Sequence, residues 1–483
     1  MISHYGLQCN EKKNKYRYYW VAMGFLLLGY LLIPAFDDDA LVYPAWLAFV
    51  RVMISIIALG IGRPWKDKGC RLLVLLLLYQ IIRVVIKDPN QLFALGTSSS
   101  LLNAIWVVIG CYSFARIIKL PVLKKLFHCF ILLWTIGTIV HCSVALYAVW
   151  TNRQIVNFGG HNYWGLHSWY YRLKIGYSYP TTAGSFLSVS GVLALYALIT
   201  EDSLKQIKII YGFSYILIII TLSLTDARTS FISLSVGVGC LVGAVIKHRM
   251  ESRGYIRGKK GWTDKKTNLV ACSVSIISII VSFIITLFII TKAAPAFVKI
   301  RSGQGIVITT AKAEEQEKII VDSRGFSSAN VLSGRGELWR NVFKYVIEEP
   351  QRLMFGESID DPMGGINQRI GESMGHTHNM ILQILLESGL VGLLLVFIFA
   401  LYTAKNVLRI ISSKTLPLWI KLIPAIPVSV LVGDLAECFG WFAEWKGPAL
   451  PFLFVACGII NVIGNKQNDN PEDTNGIHQL CSE

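Results

Sequence analysis

Residues 371–392 read GESMGHTHNMILQILLESGLVG, a polar loop that gives way to an apolar run within a few positions. Asn379 stands at the junction, where its side chain is suited to cap a helix that begins at Met380. The backbone N–H groups and the positive dipole end of that helix then face the loop, which favours an anion there. His376 and His378 lie in this loop. The stretch therefore predicts a membrane-entering helix whose N-terminus carries histidines and attracts anions.

The composition predicts a polytopic membrane protein. Hydrophobic residues make up 53% of the 483 positions and charged residues only 16%. Apolar runs long enough to cross a hydrocarbon core of ~30 Å recur along the whole chain. We therefore expect an all-α, polytopic membrane protein with about 12 transmembrane helices and one large periplasmic loop containing amphipathic helices.

This interpretation divides the chain into four segments. Transmembrane helices one to nine occupy residues 1–291, the large periplasmic loop 292–377, helices ten to twelve 378–464, and a polar, disordered cytoplasmic tail 465–483. Apolar residues recur about every four positions after Arg335, which predicts an amphipathic helix in the loop.

The charge distribution indicates orientation rather than nucleic-acid binding. The formal net charge is +16, from 46 Lys and Arg against 30 Asp and Glu. The basic residues concentrate in short connections on alternate sides of the predicted helices, as cytoplasmic segments do. Residues 292–377, the long loop on the other side, hold basic and acidic residues in equal number. We therefore expect membrane lipids as partners and no nucleic acid.

Several arginines are candidates for an anion site. Arg228 lies in a very short outer turn, where an ion pair with Asp226 is the simpler alternative, and Arg335 begins the amphipathic helix. Arg51 and Arg83 lie inside apolar runs, where a charge needs a partner or a cavity. Arginine suits phosphate because its planar guanidinium binds two oxygens and stays charged.

The motif His378-Asn379, nine residues, then Gly389 and Gly392 resembles the signature of the bacterial O-antigen ligase and O-antigen polymerase family. The order of elements before it is similar to the same family's outer loop: Arg335 to Trp339, then Pro350, then Gly356. Together with the arginine in the short outer turn, the resemblance covers roughly residues 180–400.

The resemblance implies a metal-independent glycosyltransferase without cofactors, in the bacterial inner membrane, with its active site on the periplasmic side. Its donor is an undecaprenyl-diphosphate-linked glycan. A ligase transfers that glycan onto lipid A–core, whereas a polymerase transfers it onto another lipid-linked glycan, and the motif spacing favours the ligase. The resemblance and the charges inside apolar runs together give three groups of candidate site residues. The catalytic ones are His378, Arg335 and Arg228, further diphosphate contacts come from Asn379 and Arg83, and secondary candidates are His376 and Arg51.

Other interpretations stay open at this stage. His378 either deprotonates the acceptor or stabilises the diphosphate. The acidic turn Asp37–Asp39 is a rival site, in which carboxylates act as a base or hold Mg²⁺. Aromatic residues in 151–178 form either an interfacial belt or a platform for sugar rings. A polysaccharide or lipid flippase without catalysis is the alternative of another class, favoured by Arg51 and Arg83.

Overall fold

The computed structural model describes residues 45–87, 89, 101–102, 104–117, 120–151, 153–158, 161–165, 173–176, 180–201, 205–225, 227–257, 264–302, 335–357, 362–371, 374–435 and 450–469. Within these ranges the protein is a helical bundle, and eight of its helices are long and apolar enough to cross a membrane. A polytopic, helical membrane protein is therefore confirmed. The predicted first helix and Asp37–Asp39 lie outside the described residues, so a total of twelve helices stays a prediction.

The first eight helices precede the large loop. They are α1 (Ala45–Gly62), α2 (Lys68–Lys87), α3 (Phe114–Ile117), α4 (Leu120–Trp150), α5 (Pro180–Thr200), α6 (Lys205–Thr225), α7 (Arg228–Arg257) and α8 (Asp264–Ser302). Short 3₁₀ and π segments occupy Pro64–Lys66 and Trp106–Cys111.

Two features of this half depart from the expected pattern. The fourth predicted helix, expected over 92–115, is interrupted because the Tyr112 N–H donates to the Val107 carbonyl five residues back, at 3.2 Å. A hairpin of β1 (Ile155–Phe158) and β2 (His161–Trp164) occupies part of the aromatic outer loop. Most of that loop's other aromatics lie outside the described residues, so both of its interpretations stay open.

The remaining helices follow in chain order. They are α9 (Arg335–Glu348), α10 (Pro350–Phe355), α11 (Gly364–Ile370), α12 (Met380–Ser412), α13 (Leu418–Leu422), α14 (Ala425–Asp434) and α15 (Leu450–Asp469). Three helices differ from the expected extents. Helix nine was expected to end at 291 but α8 runs to Ser302, the expected tail from 465 begins as helix, and the eleventh helix splits at Pro424.

The centre of the bundle is α5, which packs against α4, α6, α7 and α14. The Trp134 indole N–H donates to the Ser190 hydroxyl at 2.8 Å, which joins α4 to α5. A side chain at Gly184 would lie 2.3 Å from the Ala227 Cβ, and one at Gly237 would lie 2.4 Å from a methyl group of α5. Small residues therefore let α5 and α7 approach closely, as in other membrane bundles.

The expected amphipathic helix is present as α9. Leu338, Val342 and Val346 are buried and pack against α11 and α12. Phe343 and Ile347, which the four-residue spacing assigns to the same stripe, are half exposed. The apolar stripe is thus narrower than expected, and it holds α9 against the start of α12.

Candidate active site

Helix α12 begins where the sequence predicts. Asn379 has an extended backbone, with φ −158° and ψ 115°, and its Oδ1 accepts a hydrogen bond from the Leu382 N–H at 3.0 Å. The predicted N-cap is therefore confirmed. The positive dipole end of this long helix faces the loop that carries the two histidines. We call this end of the bundle, around residues 376–379, the histidine end.

His376 and His378 lie against each other at the histidine end. Their ring centroids are 4.2 Å apart, with an angle of 63° between the planes. The His378 backbone N–H donates to His376 Nδ1 at 3.2 Å, so a neutral His376 carries its proton on Nε2. His378 has a φ of 53°, a left-handed conformation that residues with a Cβ rarely adopt. This turn directs the chain into the helix cap.

Thr377, between the histidines, is fully buried and fixes the loop. Its N–H donates to Gln383 Oε1 and its hydroxyl donates to the Asn379 carbonyl, both at 2.8 Å. Its own carbonyl accepts a hydrogen bond from the Trp339 indole N–H at 2.9 Å. The histidine loop is therefore held both by α12 and by α9.

The bond from Trp339 also brings Arg335 to the histidine end. Arg335 is the first residue of α9 and is partly buried. It precedes Trp339 by one turn, which corresponds to roughly 6 Å along the helix axis. Arg335 and the histidine loop thus share one region of the molecule, as the sequence predicts, although they are separated by about forty positions in the chain.

The junction of α9 and α10 is fixed by a compact polar cluster. The Arg352 guanidinium stacks on the Tyr345 ring at 3.6 Å and its Nε donates to Glu357 Oε1 at 2.5 Å. The Tyr345 hydroxyl donates to the same oxygen at 2.8 Å. Burial and this carboxylate raise the pKa of Tyr345 to about 12. Burial opposes ionisation of Glu357, but the two hydrogen bonds hold its pKa below the ordinary value.

Helices α13 and α14 run antiparallel to α7. The Lys421 ammonium lies 2.7 Å from Glu251 Oε2, near the end of α7. Further along, the Ser429 hydroxyl donates to the Ser233 carbonyl at 2.9 Å, near the start of α7. The chain from Lys421 to Ser429 therefore travels toward Arg228, the first residue of α7.

The end of α14 connects Arg228 with the histidine end. Asn379 Nδ2 donates to the Leu435 carbonyl at 3.2 Å, and Leu435 follows the last residue of α14. Because α14 is antiparallel to α7, its end is level with the start of α7. Arg228, Arg335 and His378, the three predicted catalytic residues, therefore lie at the same end of the bundle.

Arg83 is buried near the end of α2. Its guanidinium donates to the Phe355 carbonyl at 3.0 Å and to the Glu357 carbonyl at 2.8 Å. The neighbouring Tyr79 hydroxyl donates to the Ser388 carbonyl at 2.7 Å. Arg83 thus holds the end of α10 against α2, whereas Tyr79 holds α12 there. The contribution of Arg83 to diphosphate binding stays a prediction. The side chain of Arg51 lies outside what the structure describes.

Two buried carboxylates near the histidine end were missed by the sequence reasoning. Glu387 accepts a hydrogen bond from Gln383 Nε2 at 2.5 Å, so a chain of bonds leads from Thr377 through Gln383 to Glu387. Asp434 is fully buried beside the Leu435 carbonyl that Asn379 reaches. In the sequence, these two carboxylates are recognisable only as acidic residues inside or beside an apolar run.

An apolar groove of about 500 Å³ begins directly beside the polar loop. Met380, Ile381 and Leu435 line its end next to the helix cap, and α12 side chains as far as Ala400 continue it. Leu394 and Phe397 within it are more than half exposed. The histidine end thus combines a cationic, hydrogen-bonding rim with an apolar channel that extends along the membrane-spanning part of α12.

These features define a multi-pass helical membrane protein in which a polar loop and an apolar groove adjoin at one end of the bundle. Residues 213–397 match the family model described as "O-Antigen ligase", a segment that contains Arg228, Arg335 and His378. The match confirms the resemblance of this segment, 185 of the 483 residues, to the O-antigen ligase family. No curated protein matches the chain.

Proposed function

We propose that this protein is a metal-independent O-antigen ligase of the bacterial inner membrane. It transfers an undecaprenyl-diphosphate-linked glycan onto a hydroxyl of lipid A–core on the periplasmic side. The proposal rests on one observation: the polar rim at the histidine end lies directly beside the apolar groove. Asn379 caps α12 within the polar rim, and Met380, the next residue, lines the apolar groove.

The groove fits the polyprenyl part of the donor. Its lining is aliphatic and aromatic, and it follows α12 away from the rim for about twenty residues, or roughly 30 Å of helix. A polyprenyl tail in this groove leaves its diphosphate level with the helix N-terminus. The diphosphate there meets the dipole of α12 and lies at the end of the bundle that holds Arg228 and Arg335.

The cations act on the leaving group. The acceptor hydroxyl oxygen attacks the anomeric carbon of the glycan, the bond from that carbon to the diphosphate oxygen breaks, and its electron pair stays on the diphosphate. Negative charge therefore grows on the diphosphate in the transition state, where fixed guanidinium groups stabilise it. The hydroxyl proton passes to the His378 imidazole, or to water when His378 instead holds the diphosphate.

The arginine assignment is tested by complementing a deletion strain with Arg228→Gln and Arg335→Gln. Each variant is expected to lose about 100-fold of the ligated glycan, the usual effect of removing a group that stabilises transition-state charge. Membrane levels of the protein are expected to stay unchanged. Glycan length and yield are measured on gels of extracted lipopolysaccharide.

Matched controls lie on the same two helices. Arg340→Gln changes an exposed arginine of α9, and Arg249→Gln changes an exposed arginine far from the start of α7. Both are expected to support normal transfer. Normal glycan yield in Arg228→Gln and Arg335→Gln would remove these residues from the mechanism.

The deletion strain itself separates the related functions. Full-length glycan accumulating on the lipid carrier indicates the ligase, whereas single repeat units accumulating there indicate a repeat-unit polymerase of the same family. Loss of outward-facing lipid-linked repeats indicates a flippase. Transfer by the purified protein is expected to survive EDTA, because the arginines supply the positive charge. If EDTA and Asp37→Asn both abolish it, the acidic turn holds the site instead.

A further inference from the structure

We propose that the opposite end of the bundle holds a binding site for a phosphate-bearing anion, the head group of an acidic phospholipid. The site is a cavity of about 570 Å³ between the start of α2, the short helix α3, and the ends of α12 and α15. It lies 25 residues along α12 from the helix cap, or roughly 38 Å of helix rise. The inference is independent of the proposed transferase function.

The cavity lining is strongly cationic. Among the described residues that line it, Asp67 is the single acidic one, and the Arg116 guanidinium lies 3.9 Å from its carboxylate. The basic residues come from every element around the cavity and number seven: Lys66, Lys68, Arg71, Arg116, Lys405, Arg409 and Lys466. This excess of positive charge in one concave space attracts an anion far more strongly than isolated surface lysines do.

Beneath the cavity lies a buried network of hydrogen bonds. Asp67 Oδ1 accepts from the Tyr112 hydroxyl at 2.8 Å and from the Cys70 N–H at 2.9 Å. The Asn461 amide donates to that hydroxyl at 3.0 Å and accepts from the Asn406 amide at 2.8 Å. The five residues of this network are all buried. The hydrogen bonds between them therefore form a fixed platform at the base of the site.

Three cavity residues have fixed partners: one is bonded to this platform and two are bonded to each other. The Arg409 guanidinium donates to Asn406 Oδ1 at 3.0 Å, and the Asn465 amide donates to the Tyr402 hydroxyl at 2.5 Å. Glycines keep the space around the platform clear, because a Cβ at Gly69 would lie 2.1 Å from the Tyr112 hydroxyl. The cavity is thus built by packing and is not a gap between loosely arranged helix ends.

The location of the cavity favours a lipid head group as its ligand. Trp65, next to the cavity residue Lys66, is 56% exposed, as expected of a tryptophan at the boundary between membrane and water. Basic pockets between helices at this depth bind phospholipid head groups. The volume lies within the range of small-ligand sites, and several cations around it suit a head group with two phosphates.

The site is tested with purified full-length protein in neutral detergent. Thermal unfolding is followed while cardiolipin, phosphatidylethanolamine or inorganic pyrophosphate is added. The variant combines Lys68→Gln, Lys405→Gln and Lys466→Gln, three exposed lysines of the cavity on three helices. We expect stabilisation by cardiolipin in the wild type and about tenfold more cardiolipin for the same shift in the variant.

A matched control variant combines Lys125→Gln, Lys205→Gln and Lys266→Gln. These exposed lysines begin three other helices at the same end of the bundle, outside the cavity. It is expected to respond to cardiolipin like the wild type. An equal loss in both variants means general charge attraction and overturns the site, as does no loss in either. A response to pyrophosphate but not to cardiolipin replaces the lipid with a soluble phosphate compound.

Discussion

At the scale of the residue, the conformation of His378 is the most informative feature. A φ of 53° in a residue with a Cβ costs on the order of 1 kcal/mol. The bonds that hold Thr377 on one side and Asn379 on the other maintain it. A glycine or asparagine adopts this conformation at a lower cost, so either residue can replace the histidine without disturbing the turn.

Substitutions of His378 separate backbone shape from chemistry. His378→Asn and His378→Gly retain the left-handed turn, and we expect normal thermal stability but a loss of transfer of about 100-fold, the usual contribution of an acid–base group. His378→Ala keeps a Cβ at this positive φ, as the wild type does, so it is expected to lose transfer without an added cost of backbone strain. Glycan transfer and thermal unfolding in detergent measure the two effects.

The pH profile of the wild type then distinguishes the two roles of this histidine. A base must be neutral, so transfer that depends on a base falls when the imidazole is protonated. An imidazolium that holds the diphosphate gives the opposite slope. Unchanged transfer by His378→Asn would show that the imidazole has neither role.

At the scale of the element, the decisive feature is the break in α12 at Gly389. This residue has φ 62° and ψ −168° inside an otherwise continuous helix. Gly356, with φ 74°, lies against the break, and the Glu357 N–H donates to the Leu386 carbonyl at 2.7 Å. The break therefore leaves helix backbone free to pair with the segment after α10. This pairing fixes α9 and α10 beside the histidine end.

Alanine substitutions test this pairing of two glycines. A Cβ at Gly356 would lie 2.4 Å from the Glu387 backbone, and one at Gly389 would lie 2.4 Å from the Met354 backbone. Since backbone cannot move aside easily, we expect each substitution to lower stability by well over 1 kcal/mol and to abolish transfer. Thermal unfolding and glycan yield are measured together.

Gly371 provides the matched control. It also has a positive φ, 70°, but a Cβ there meets no atom within 4 Å. Gly371→Ala is expected to cost about 1 kcal/mol, from backbone strain alone. If all three substitutions cost the same, close backbone contact at the break is not what holds α10 against α12.

At the scale of the whole molecule, the two ends of the bundle differ in chemistry. The histidine end joins a polar rim to an apolar groove, whereas the other end surrounds a cationic cavity. The distribution of lysine and arginine predicts that the cavity end faces the cytoplasm. On this prediction, the proposed active site faces the periplasm.

Fusions to alkaline phosphatase, which is active only in the periplasm, test this orientation. Fusions after Lys87 and after Ile370 are expected to be active, because both positions belong to the histidine side of the bundle. A fusion after Ser412, at the far end of α12, is expected to be inactive. The reverse pattern of activities would place the proposed site in the cytoplasm.

Local features were predictable because their causes are local. The cap at Asn379, the amphipathic helix from Arg335 and most helix starts follow from neighbouring residues. The role of Arg83 was not predictable, since its partners are carbonyls of Phe355 and Glu357 about 270 positions away. Every residue has a backbone carbonyl, so the sequence does not indicate which carbonyls accept hydrogen bonds from Arg83.

The sequence by itself determined that this is a polytopic helical protein with an anion-attracting helix start, because hydropathy and capping act over a few residues. Only the tertiary structure decided which distant groups meet. It joined α7, α9, α12 and α14 at one end through single hydrogen bonds such as Asn379 to Leu435. It also surrounded a buried Asp67 network with seven cations at the other end. These contacts depend on how the helices pack. Close approach at small residues determines that packing, and no short stretch of sequence encodes it.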